Sequence, residues 1–385
     1  MALQRLPFDS PIERYAEQAG QLLDAHRAGD ADALELFHHH HPRFLDSETP
    51  WLARLDLGPD DIRQAPLDAS DAQLALARWY DFGDWRSLAS YADAVSQRRS
   101  PVYEFECAVE AVIHGNVAEL QRLLGARPEL IQARSTRVTH FDPPEHRAML
   151  LHYLAANGVE GHRQKSPPNA VEIAKLLLEG GAEPDALMWA YGGECTTMSL
   201  LVSSSPPLDA GTQVPLVHTL IDHGASLEAR GTGNWTSPLM TAIVFGMHEA
   251  AEALVSRGAK IDNVAAAAGL GSLEDVVRLL PSSDDESRQK ALSFAAQLGH
   301  TEVVRMLLDA GEDPSRYNLP GTHAHSTPLH QAALGGHLDT VRLLVQRGAR
   351  LDIEDKIYKG TPLGWAEYCN QPAVADYLRS VNAPR

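Results

Sequence analysis

The stretch from Ser326 to Ala349, STPLHQAALGGHLDTVRLLVQRGA, constrains this chain more than any other. Thr327-Pro328-Leu329-His330 opens a helix, because proline is tolerated in a first turn where its missing N–H has no partner to lose. Ala332 and Ala333 permit close packing, and Gly335-Gly336-His337 turns the chain. Val341, Leu343, Leu344 and Val345 then supply the buried side of a second helix, which Gly348 closes. A two-helix unit of this size cannot bury its own apolar flank, so it requires similar units beside it.

Those units are present. The turn glycine recurs at Gly115, Gly158, Gly246, Gly271 and Gly299, with Asn370 in that place at the end and Ser205 assigned to it in the third unit. A Leu-Leu-like pair follows at 123–124, 177–178, 279–280 and 307–308, and Gly-Ala punctuation recurs at 181, 224 and 258. The T-P-L-H-x-A opening and this spacing resemble the ankyrin repeat family. The resemblance implies an all-α solenoid: about eight helix-turn-helix repeats with short β-fingers over residues 99–385. It also implies a binding protein that holds a partner on a concave face lined by fingers and first helices.

Residues 1–98 carry helical periodicity without that pattern, which predicts an α-helical N-terminal cap for the first repeat. Ser10, Pro11 and Glu13 read as a capping box, and Asp30 reads as the cap of a second helix. The segment DAQLALARWYDFGDWRSLASYADAV is similar to leaders found before ankyrin arrays in some bacterial proteins. His38 to His41 stand in succession, and four successive helical residues point in four directions, so they read as a polar helix end rather than a metal site.

A formal charge of −18 argues against nucleic acid and anionic membrane surfaces, and favours a neutral or basic protein partner. No run of 18 apolar residues appears, and the first residues lack the apolar core of a signal peptide. Three separated cysteines, Cys107, Cys195 and Cys369, are no disulfide framework and fit a reducing cytoplasm.

Departures from the repeat locate candidate function. Insertions lengthen the second repeat (VEGHRQKSPPN) and the third (SPPLDAGTQVP), and their paired prolines predict stiff loops. Long loops in a compact domain tend to carry function. Three fingers are lengthened, whereas the one near Asp262 is missing because NVAAAAGLG follows at once.

In the first long finger, His140, Phe141, Asp142 and His146 lie close together, although two histidines and a carboxylate there match no recognised metal spacing. His152 takes the T-P-L-H position, where a backbone-bonding, finger-stabilising role is expected. In the second-repeat insertion, Arg163 and Lys165 with Glu160 and His162 form a set able to grip an anion; a solvated surface loop has the same composition. Trp189, Tyr191, Trp235 and Tyr358 are placed on finger tips, where aromatic area suits partner contact. His323 and His325 flank Ala324, with capping of the helix at Ser326 as the expected role. No cofactor motif, metal motif or catalytic signature is present, so no catalytic residue is assigned. The reading is a protein-interaction module with specificity in the first four repeats. The alternative is a small-molecule binder or enzyme whose pocket forms where the insertions of repeats two and three cover the concave face.

Overall fold

The computed structural model describes residues 3–156 and 158–383. It is mostly helical and divides into two compact units, one running through Ala225 with Arg230–Trp235, the other comprising Ser226–Ala229 and the chain from Thr236.

The first unit begins with helices Ile12–Ala28, Ala31–His40, Pro59–Gln64, Ala69–Trp79 and Trp85–Ser96. Their apolar faces meet in one core that includes Leu22, Phe37, Ile62, Leu76 and Leu88. Asp30 caps the second helix as expected, accepting from the Ala33 N–H. Ser10 does not cap the first. Pro11 stands extended (φ −69°, ψ 154°) between it and the helix start at Ile12, so the Ser10 hydroxyl is one residue too far away. The histidine run diverges: His38 bonds the Arg54 carbonyl, His39 that of Glu35, and His41 the Asp71 carboxylate.

Three helix pairs complete this unit. They are Pro101–Ile113 with Val117–Ala126, Leu150–Leu154 with Ala170–Glu179, and Thr197–Leu201 with Gln213–Asp222. In the third pair the left-handed turn falls on Gly211 (φ 68°), not on Ser205. Ser205 instead begins a short helix, Ser205–Asp209, because Pro206 and Pro207 fit a first turn that needs no backbone donors. Among the described residues the only regular sheet is the finger hairpin Leu187–Ala190 with Gly193–Thr196. Tyr191 and Gly192 both take positive φ (52° and 76°), as a two-residue hairpin turn matching strand twist requires. The first finger holds a single bridge, Val138 to Glu145.

The second unit contains five pairs: Pro238–Val244 with His248–Ser256, Val264–Gly269 with Leu273–Leu279, Asp285–Gln297 with Thr301–Asp309, Pro328–Leu334 with Leu338–Gln346, and Pro362–Tyr368 with Pro372–Ser380. Val276, Leu292, Val304, Leu307, Leu329 and Leu344 belong to one continuous core. Asn263 caps its helix directly, accepting from the Ala266 N–H, so no finger separates it from the preceding pair.

A side-chain ladder joins successive pairs. His300 bonds the Gly269 carbonyl at 3.0 Å, His337 that of Gln297 at 2.9 Å, and Gln371 donates to that of Leu334 at 3.2 Å. Each rung satisfies a helix-end carbonyl that would otherwise lack a partner. The turn glycine makes room for it: a Cβ on Gly299 would stand 2.5 Å from His337 Nδ1, and its φ is +75°.

Candidate functional site

The first finger and the second-repeat insertion meet over the helix Pro101–Ile113, and four charged side chains are buried there. Glu106 is 1% exposed, Arg137 3%, Glu160 0% and Arg163 2%. Isolated charges in such surroundings cost several kcal/mol each, so burial is tolerable only with close pairing. Arg163 supplies most of it. Its Nη1 donates to Glu160 Oε2 at 3.1 Å, and its Nη2 to Glu106 Oε2 at 2.5 Å. Arg137 Nε lies 3.3 Å from Glu160 Oε2, while its Nη2 donates to the Tyr80 carbonyl at 3.0 Å. The Arg137 guanidinium also lies over the rings of Phe82 and Tyr91, 4.2 and 4.8 Å from their centroids.

Two buried tyrosines complete the shell, Tyr91 donating to Glu106 at 2.8 Å and Tyr153 to Glu160 at 2.6 Å. Burial alone would raise the Glu160 pKa, but Arg137 and Arg163 hold it well below the carboxylate range. Burial would likewise lower that of Arg163, and Glu106 and Glu160 raise it well above the ordinary value. Glu160 therefore stays ionised between the two guanidiniums.

His146 belongs to this network rather than to a metal triad. Its Nδ1 accepts from the Ala148 N–H, which leaves the proton on Nε2, and Nε2 lies 3.0 Å from Glu160 Oε1. The Ser135 hydroxyl approaches the same Nε2 at 3.3 Å. A catalytic triad needs its hydroxyl and carboxylate on opposite ring nitrogens, so Ser135, His146 and Glu160 are not wired for nucleophilic attack. Asp142 is exposed, and the His140 ring stacks on Phe141 at 4.4 Å instead.

The solvated-loop reading of the second-repeat insertion is thus corrected for Glu160 and Arg163, since Glu106 and Arg137 give these charges somewhere to go. Lys165 remains exposed, and His162 bonds Asp81 at 2.6 Å. The missed partners carry one sequence signal. Glu106 falls between Phe105 and Val109 on an otherwise apolar helix face, a place where a charge demands a partner.

A second feature lies on the fingers. Phe141 meets Tyr191 edge-on at 6.2 Å, and Tyr191 meets Trp235 at 6.3 Å, so aromatic rings run from His140 across three fingers. Backbone bonds stitch those fingers together: the Trp189 N–H donates to the His146 carbonyl, and the Thr232 N–H to that of Glu194. Tyr191 is 52% exposed, with its hydroxyl donating to the Gly158 carbonyl. Trp235 is 8% exposed because its Nε1 donates to the Ala190 carbonyl at 2.8 Å, so it is a packed strut and not a free tip. Trp189 is half-buried.

In the second unit, the His323 ring reaches the Val244 carbonyl at 3.1 Å, while its own carbonyl accepts from the Ser326 N–H and hydroxyl just before the helix Pro328–Leu334. His325 lies between Tyr358 and Trp365, with centroids at 6.2 and 5.7 Å. Tyr358 is 54% exposed.

Paired short helices with left-handed glycine turns, repeated down the chain and joined by a side-chain ladder, define a helical-repeat protein. Known proteins agree on the kind of repeat. The family model described as "Ankyrin repeats (many copies)" matches residues 292–345. Cyclin-dependent kinase 4 inhibitor B of Homo sapiens is 32% identical over 138 residues, which are 35% of this chain and 97% of that protein. The chain belongs to the ankyrin repeat family. It is also similar to the Ankyrin repeat and SAM domain-containing protein 6 of Mus musculus, 32% identical over 111 residues. That match covers 29% of this chain and spans only 12% of the mouse protein's length. A Putative ankyrin repeat-containing protein of Treponema pallidum (strain Nichols) is 30% identical over 164 residues, 42% of this chain and 46% of that protein. Among the described residues no helix is long and apolar enough to cross a membrane.

Proposed function

We propose that this chain is a protein-binding module whose partner docks on the finger-lined face of the first unit, around Phe141, Trp189 and Tyr191, with residues 1–98 acting as a cap. Ankyrin repeats are generally protein-interaction modules, and the relative named as a cyclin-dependent kinase 4 inhibitor acts on another protein. The observation that carries the reading is the half-exposed aromatic line from Phe141 to Tyr191, held on three mutually bonded fingers. Aromatic side chains bring large contact area at small entropic cost, which is why they dominate binding hot spots. The net charge of −18 selects a neutral or basic partner. The rigid charge network below fixes the finger bases, so little ordering entropy remains to be lost on binding.

The test uses affinity capture on the intact protein, followed by titration of the partner so identified. Phe141→Ala with Tyr191→Ala is expected to weaken that complex at least tenfold while leaving the circular dichroism spectrum unchanged, two hot-spot truncations together being worth upwards of about 2 kcal/mol. Trp235 is left in place because it is packed. Unchanged affinity in the double variant moves the interface off these fingers.

A further inference from the structure

The charge network borders a cavity that the protein-binding reading does not use. It has a volume of about 180 Å³ and lies between the segment Arg5–Phe8 and the second-repeat insertion. Arg5, Arg137 and Arg163 supply its polar wall, and Tyr15, Tyr80 and Phe82 supply ring surface. Exposed Pro7 and Lys165 mark its mouth.

Cations outnumber anions in its wall, where Arg5, Arg137, Arg163 and Lys165 stand with the carboxylate of Glu110. Arg5 Nη1 and Arg163 Nε are buried N–H groups without an acceptor. Arg137 Nε has the Glu160 carboxylate nearby but not in hydrogen-bonding alignment. Arg137 and Arg163 are themselves 3% and 2% exposed. A wall that carries several guanidiniums favours a molecule that brings acceptors. The Arg5 guanidinium carbon lies over Trp79, 4.3 Å from the ring centroid, a contact that holds the cation without occupying its N–H donors.

We propose that this cavity binds a small carboxylate with an aromatic body, the carboxylate accepting from Arg5 and Arg163 and the ring lying among Tyr15, Tyr80 and Phe82. The size fits: a dry engineered cavity of about 150 Å³ holds benzene. A carboxylate matches a guanidinium edge by two parallel hydrogen bonds, which a neutral amide cannot reproduce. Glu110 also borders the space, at 3.3 Å from Arg163 Nη2, and repels an anion placed on its side, so the carboxylate is directed toward Arg5.

The experiment is titration of the full chain with benzoate, benzamide and inorganic phosphate, read by calorimetry and by the thermal midpoint. Benzoate is expected to bind one-to-one with saturation, to raise the midpoint, and to bind at least tenfold more tightly than benzamide or phosphate. Arg5→Met keeps the stack on Trp79 and removes the donors; it is expected to weaken benzoate at least tenfold, with Arg5→Lys intermediate and all spectra unchanged. Benzoate that fails to saturate leaves a water-filled cavity and overturns the proposal. So does benzamide binding equally well, or benzoate binding unaltered by Arg5→Met. Tighter binding of phosphate than of benzoate also overturns it, because the ring surface would then contribute nothing.

Discussion

Arg163 shows how one side chain decides the state of several others. It is the shared cation of Glu106 and Glu160, and it also reaches Glu110. Arg163→Met keeps much of the side-chain volume but leaves two buried carboxylates with only Arg137 between them. The change is expected to destabilise the chain by about 3–5 kcal/mol, the usual cost of orphaning a buried charge, read as a lower urea midpoint at pH 7. A loss under about 1 kcal/mol would mean that water reaches the network, as at an exposed pair. The sequence did not disclose this role. Arg163 sits in a polar, proline-containing loop, and its partner Glu106 lies 57 residues earlier in the chain. Composition describes what a loop is made of, whereas burial depends on what another element presents to it. Glu160, His146 and Arg163 were all visible as residues of interest. Their convergence on one point was not, because Arg137 and Glu106 carry no motif.

At the scale of the element, the helix pairs were legible because a left-handed turn is a backbone demand that few residues meet. Positive φ falls on Gly115, Gly158, Gly246, Gly271, Gly299, Gly336 and Asn370, the positions found by spacing alone. The third pair escaped because its insertion folds into a helix of its own and moves the turn to Gly211. The ladder was hidden for another reason: Gly-His reads as a turn signal, and nothing in one repeat reveals that its histidine serves the repeat before it. Gly299 answers to both demands, conformation and space. Gly299→Ala is expected to cost about 1–3 kcal/mol by forcing alanine into a left-handed turn, with displacement of the His337 ring added. Gly125→Ala is the control, since nothing lies within 4 Å and the site is helical; it should be neutral or stabilise by up to about 1 kcal/mol. Equal thermal midpoints for the two variants would remove the ladder's geometric account of the conserved spacing within this chain.

At the scale of the whole molecule, a fully buried histidine occupies the same place in a first helix of each unit, His152 in one and His330 in the other. His152 Nδ1 accepts from the Met149 N–H and its Nε2 meets the Ala186 carbonyl. His330 repeats this with Thr327 and Gly360. An Nδ1 that accepts a backbone N–H cannot take a proton without losing that bond, and burial penalises the charge further. Burial is the main cause that pushes both pKa values down from 6.5 to about 4. Because the folded pKa lies below the unfolded one, the unfolded chain binds more protons between these values, and stability falls as pH falls. The contribution is fully present above pH 6.5 and lost on the way to about 4, at up to about 1.4 kcal/mol per pH unit for each ring. Glu160 adds a later loss in the first unit alone. Its pKa is also depressed in the fold, so its share is present above the ordinary carboxylate value of 4.5 and disappears only below it. Acid titration of the urea midpoint should therefore decline from near pH 6.5, then steepen below about 4.5. His152→Gln or His330→Gln, which keeps an acceptor and a donor, should flatten the upper limb in part, because burial also pushes His40 down to about 4 and lowers His162 and His300. An upper limb left unchanged in the double variant would place the proton uptake on other groups.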